Sequence, residues 1–147
     1  MQQVRLYGAY EHTLDAKNRV AVPARLRAAF VADGVVVTQG LEPCLSGYTP
    51  EGFDAYMERR SEEISELNSK GRDLKRLMTA SAMHQTLDSQ GRITLPTSQL
   101  EYAGIEREVT IIGVHDHFEI WDRATWNERR ERMEREANAT ADELATS

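Results

Sequence analysis

The chain carries one segment twice. His12-Thr13-Leu14-Asp15-Ala16-Lys17-Asn18-Arg19-Val20-Ala21-Val22-Pro23 recurs as Gln85-Thr86-Leu87-Asp88-Ser89-Gln90-Gly91-Arg92-Ile93-Thr94-Leu95-Pro96, with Asp88 placed 73 positions after Asp15. Thr, Leu, Asp, Arg and Pro are identical at matched places, and Val20/Ile93 and Val22/Leu95 are conservative pairs. The pairing of Asn18 with Gly91 has a physical reason, because both residue types tolerate a positive φ. A turn that needs a left-handed residue just before the Arg accepts either. A length of 147 residues then suits one pair of fused half-domains.

Each copy predicts the same order of elements: strand, turn, strand, short helix, strand, turn, strand, helix. Val20–Val22 and Ile93–Leu95 alternate as strands do, and Pro23 and Pro96 stop them ahead of short helices at Ala24–Phe30 and Thr97–Ala103. Val35–Thr38 matches Val109–Ile112, and Leu45–Tyr48 matches Phe118–Trp121. Thr49 and Asp122 read as N-caps, flanked by the apolar pairs Tyr48/Phe53 and Trp121/Trp126 that staple a helix entry. The first unit's last helix is predicted over Pro50–Asn68, with an apolar stripe of Phe53, Tyr56, Met57, Ile64 and Leu67. A further helix follows over Arg72–Met83, with Leu74, Leu77 and Met78 on one face. The helix from Arg123 is very polar, and Ala137–Ser147 read as frayed or disordered.

Composition narrows the function. No apolar run is long enough to span a membrane, and the start has no secretory h-region. The single Cys44 cannot form an intrachain disulfide, which fits a reducing cytoplasm. The net charge of −6 argues mildly against a nucleic-acid partner. Its distribution argues the other way. Residues 1–30 hold Arg5, Lys17, Arg19, Arg25 and Arg27 against Glu11 and Asp15 only, so a basic face on an acidic molecule is allowed.

The paired Asp-x-x-x-Arg segments, each followed by x-x-x-Pro and a short helix, together with Phe118-Glu119-Ile120-Trp121-Asp122, resemble the MraZ family of bacterial transcriptional regulators, built from two SpoVT-AbrB-type domains. The likeness covers nearly the whole chain apart from the C-terminal tail. It implies an α+β fold in which two pseudo-symmetric repeats form an intramolecular swapped-hairpin β-barrel with flanking helices, assembling into a ring, octamer or dodecamer. The division would be a first SpoVT-AbrB domain over 5–51, a helical connector over 52–80, a second domain over 81–124, and a C-terminal helix and tail over 125–147. The resemblance further implies binding of double-stranded promoter DNA with short direct repeats, near the division and cell-wall gene cluster, in the cytoplasm at the nucleoid. No cofactor and no enzymatic activity are expected, since the nine glycines are scattered rather than gathered in a phosphate-cradling loop and nothing marks Cys44 as a nucleophile. Asn18 departs from the family's usual Gly.

The residues expected to meet DNA are Lys17, Arg19, Arg25 and Arg92, with Asp15 and Asp88 bracing the turns. Arg reads guanine or grips phosphate with a rigid fork of donors, and a neighbouring Asp can aim that fork. The second copy has Gln90 in place of Lys17 and Ser98 in place of Arg25, so it is poorer in charge. Arg27 and the run Lys70–Arg76 read as ordinary solvated charge. Two rival classes stay open. His115-Asp116-His117 could bind metal or move protons, although a polar turn between strands suits it as well. A ring-forming structural or protein-interaction module, antitoxin-like and without specific DNA binding, also fits the acidic charge.

Overall fold

A computed structural model of the chain describes residues 4–63 and 67–146. Its eight strands are β1 (Ala9–Thr13), β2 (Arg19–Ala21), β3 (Val35–Gln39), β4 (Leu45–Tyr48), β5 (Met83–Gln85), β6 (Arg92–Thr94), β7 (Glu108–Gly113) and β8 (Phe118–Asp122). Its five α-helices are α1 (Ala24–Arg27, continued as a 3-10 turn over Ala28–Phe30), α2 (Pro50–Glu63), α3 (Ser69–Ala80), α4 (Thr97–Ala103) and α5 (Arg123–Thr146). The fold is α+β, with antiparallel pairing throughout.

The two repeats exchange strands. A six-stranded sheet runs in the order β1-β7-β8-β4-β3-β5, and β2 pairs with β6 in a separate ladder. The first strand of each repeat thus lies on the third strand of the other: β1 on β7, with His12 opposite Val109, and β5 on β3, with Gln85 opposite Val35. Two residues face their own counterparts, Ser46 opposite Glu119 and Val20 opposite Ile93. A pseudo-twofold axis therefore passes through both ladders. The ladders do not close into a barrel; β1 and β5 are the free edges of the large sheet.

The core fills the space between the ladders. Val20, Val22 and Leu26 of the first repeat meet Ile93, Leu95 and Leu100 of the second, and all are buried. Phe30 and Phe118, both fully buried, make an edge-to-face contact at 5.2 Å and 85°, the arrangement that ring quadrupoles favour. Both helix staples form. Thr49 Oγ1 accepts from the Gly52 N–H at 3.0 Å, and the Tyr48 and Phe53 rings lie 5.9 Å apart. Asp122 Oδ2 accepts from the Thr125 N–H at 3.1 Å, and Trp121 and Trp126 lie 5.7 Å apart.

Three helix boundaries differ from the sequence expectation. Asn68 is not the end of one helix but the cap of the next: its side chain accepts from Lys70 N–H at 2.8 Å and its carbonyl from Arg72 N–H at 3.0 Å. Leu67 therefore sits before a cap rather than on an apolar stripe, and it is almost wholly exposed; Ile64 lies outside the described residues. α3 stops at Ala80, so Met83 opens the short strand β5 opposite Val37 instead of ending a helix. The tail is helical through Thr146, not frayed. Ala, Glu and Arg are strong helix formers, the Arg130–Glu134 pair adds an i,i+4 contact at 3.4 Å, and the Thr146 hydroxyl donates back to the Asp142 carbonyl.

Gly47 on β4 faces the Phe118 ring so closely that a Cβ would lie 2.2 Å from it. Phe118 is fully buried and has nowhere to move. Gly47→Ala is expected to cost about 1–3 kcal/mol of stability through overpacking, read from chemical denaturation midpoints. An unchanged midpoint would show that this contact relaxes freely.

Candidate nucleic-acid interface

The two repeated turns are built alike to the level of single hydrogen bonds. In the first, Asp15 Oδ1 accepts from the backbone N–H groups of Lys17 and Arg19, each at 2.9 Å, and Oδ2 accepts from Arg19 Nε at 2.7 Å. In the second, Asp88 Oδ1 accepts from Gln90 and Arg92 N–H at 2.9 and 2.8 Å, and Oδ2 from Arg92 Nε at 2.8 Å. The backbone closes each turn as well, Asn18 N–H donating to the Asp15 carbonyl and Gly91 N–H to that of Asp88. Asn18 and Gly91 have φ of 58° and 75°, the left-handed conformation that the Asn/Gly pairing predicts. Each aspartate thus takes up backbone donors that a tight turn leaves over, and it also aligns the Arg side chain.

The turns lie side by side. The Asn18 carbonyl accepts from Leu95 N–H and the Gly91 carbonyl from Val22 N–H, both at 2.9 Å, extending the β2·β6 ladder at either end. Arg92 Nη1 also reaches Asp15 Oδ2 at 3.5 Å, so one carboxylate touches both arginines. All four side chains are partly exposed, between 25% and 35%. Each Nε is committed to its own Asp, and among the described residues the terminal nitrogens of Arg19 take no hydrogen bond. The result is a pair of aspartate-aligned, partly exposed guanidinium groups that keep terminal donors uncommitted.

The other expected residues fall in different places. Lys17 stands exposed at the tip of the first turn. Arg25 is exposed on α1 but lines a separate cleft with Arg5, Leu6, Asp33 and Glu51, and none of the turn residues borders it. Arg27, which reads as plain surface charge in the sequence, instead reaches the turns. Its Nε and Nη2 donate to the Val22 carbonyl at 3.2 and 3.0 Å, and a Cβ at Gly91 would lie 2.4 Å from its Nε. No periodicity or spacing signals this contact, because it joins one repeat's helix to the other repeat's turn.

The His115–His117 segment is the β7–β8 hairpin. Its turn is closed by Val114 N–H donating to the His117 carbonyl at 2.8 Å, with His115 at a φ of 71°. His117 stacks on Tyr48 at 4.9 Å and 18°. Its ring nitrogens contact Asp116 at 2.7 Å and Glu119 at 3.3 Å. Burial opposes charge on this ring, but the hydrogen bonds to Glu119 and Asp116 outweigh it and hold the imidazole above its usual pKa. Among the described residues no group of three His, Cys, Asp or Glu side chains is placed to hold a metal ion. No helix of the described residues is long and apolar enough to cross a membrane.

Two strand-exchanging repeats with paired, aspartate-braced arginine turns define a class: duplicated α+β proteins that present two matched turns. The family model described as "MraZ protein, putative antitoxin-like" matches residues 6–77 and again 78–147. The transcriptional regulator MraZ of Roseiflexus castenholzii is 37% identical over 138 residues, covering 94% of this chain and 95% of the relative. That of Thermomicrobium roseum is 37% identical over 139 residues, covering 95% and 96%. The chain belongs to the MraZ family, and both of these relatives are named transcriptional regulators.

Hydrogen bonds from the Arg19 backbone and side chain and the Lys17 backbone outweigh desolvation and bring the Asp15 carboxyl from its ordinary 3.8 to about 2. Asp88 is lowered too, chiefly by the Arg92 backbone. A depressed folded pKa gives stability that is present above the ordinary pKa and lost as pH falls through the folded one. The melting temperature should therefore drop as pH falls from 3.8 toward about 2. Asp15→Asn should melt lower at neutral pH and show a flatter acid limb. A variant with the wild-type melting curve at both ends would remove the bracing role.

Proposed function

We propose that the chain is a sequence-specific DNA-binding transcriptional regulator, and that it reads short direct repeats in promoter DNA of the division and cell-wall gene cluster. The observation that carries this is Asp15 touching both Arg19 and Arg92, which sets two partly exposed guanidinium groups side by side. Arg19 and Arg92 would contact base edges or phosphates, with Lys17 adding a phosphate contact at the first turn. Arg25 would act at the margin. The naming of the relatives as transcriptional regulators supports the reading, as does the exchange of strands, which places both turns in one interlocked unit. On this reading the repeats, spanning 5–51 and 81–124, are two halves of one swapped-hairpin unit, joined by the connector 52–80 and followed by 125–147. The protein would work in the cytoplasm, at the nucleoid.

One subunit offers few phosphate contacts, and modules of that size bind DNA nonspecifically with dissociation constants on the order of 10⁻⁴–10⁻⁶ M. Display of the same turns around a homo-oligomeric ring, octamer or dodecamer, would add roughly 10²–10⁴ in avidity on spaced repeats. An engineered monomer should therefore lose tight binding while keeping its fold. A monomer that binds as tightly as the assembled protein would dispose of the ring requirement.

The direct test is a gel shift on the DNA immediately upstream of the chain's own coding sequence, against a scrambled duplex, at several salt concentrations. Affinity should fall steeply with salt. Arg19→Ala should abolish the preference for the upstream duplex, and His117→Ala should keep it. Equal retention of upstream and scrambled DNA by the wild type would favour the protein-interaction reading, to which the antitoxin-like family description gives some weight.

A further inference from the structure

The second turn is short of positive charge in its own repeat, since Gln90 stands where the first has Lys17 and Ser98 where it has Arg25. The fold brings a cation to it from the other repeat. Arg27 lies on α1, and its place is taken in the second repeat by Leu100, 73 positions on. Its guanidinium forks onto the Val22 carbonyl, and the N–H of that same residue donates to the Gly91 carbonyl. Arg27 is thus pinned against the main chain of the residue that precedes Arg92. The close approach needs Gly91: a Cβ there would lie 2.4 Å from Nε and 2.6 Å from Cζ of Arg27. Gly91 thus serves the φ of 75° and leaves the space in which the Arg27 guanidinium lies.

We propose that Arg27 of the first repeat is the phosphate-contacting cation of the second repeat's turn. This rests on the DNA-binding reading above. Arg19, Arg92 and Arg123 are each paired with carboxylates. Arg27 has none within ion-pair distance among the described residues; its one acceptor is a neutral carbonyl. Two of its five N–H donors are used, so three remain for an outside anion. It is half-buried, which holds the group in one geometry and lowers the ordering cost of a contact. Its field is felt nearby: after burial, Arg27 and then Arg123 hold the His12 imidazole below its usual pKa. A phosphate is the fitting anion, because the guanidinium is half-buried beside the Gly91 main chain rather than at the exposed turn tip, where Lys17 stands.

The test compares wild type, Arg27→Gln, Arg27→Lys and Arg19→Ala by fluorescence anisotropy on the labelled upstream duplex and a scrambled duplex. Salt runs from about 50 to 200 mM, and each protein's melting temperature is taken. Arg27→Gln should lower the slope of log affinity against log salt by about one unit per engaged subunit, on both duplexes. Arg27→Lys should keep the wild-type slope but melt lower, since an ammonium cannot fork onto the Val22 carbonyl. A folded Arg27→Gln with the wild-type slope would overturn the proposal, and so would a folded Arg27→Lys that loses as much slope as Arg27→Gln. Arg27→Met, which keeps the aliphatic stem, is held to the same criterion should Arg27→Gln not melt cooperatively. Failure of the wild type to prefer the upstream duplex would sink the DNA-binding reading itself. A lost preference in Arg19→Ala beside an unchanged slope in Arg27→Gln would sink this inference alone.

Discussion

Two carboxylates organise the exposed end of the molecule. Each takes two backbone N–H groups and one guanidinium nitrogen within 2.7–2.9 Å, so that a five-residue turn and the Arg that ends it are fixed by one side chain. Without them the turn's donors would need water, and each Arg would sample many rotamers at a cost in order when it bound anything. The β2·β6 ladder is only three residues long in each strand. It holds because the braced turns and the core beneath Val20 and Ile93 grip it from both sides.

The pseudo-symmetry of the backbone is close, yet the side chains depart from it where the surface is used. Val20 and Ile93, or Ser46 and Glu119, face each other on the axis as mates. Lys17 and Gln90, Arg27 and Leu100, Leu26 and Gln99 do not match. The last pair shows how divergence serves the interior as well. Leu26 is core, whereas the buried Gln99 amide nitrogen donates to the carbonyls of Val37 at 3.0 Å and Ser81 at 2.9 Å. That bond fastens α4 to the junction of α3 and β5, a junction that only the second repeat has to accommodate.

Much of this was legible in the sequence, for reasons that can be named. The turns could be read because Asp, Asn/Gly and Arg each have a local job at fixed spacing, and the staples because Tyr48/Phe53 and Trp121/Trp126 flank proper caps. The element types followed from local patterning. Long-range pairing did not. Nothing local tells β1 to lie on β7 rather than on its own repeat. The three-residue β5 carries no alternation long enough to register, and the apolar Met83 extends the helical pattern before it. Arg27 was opaque for the same reason, since its meaning depends on Gly91, which is distant in sequence and close in space.

The exchange of strands has a temporal side. Val109, the partner of His12, follows it by 97 positions. At synthesis rates of about 5–20 residues per second, β1 waits roughly 5–20 s for its neighbour to be made. The core of the first repeat has no lid of its own in that interval, because Phe30 rests on Phe118 and Val20 on Ile93. Closing so distant a pair is also entropically slow compared with forming a local hairpin. The duplicated chain is therefore expected to complete its core only once the second half has been made.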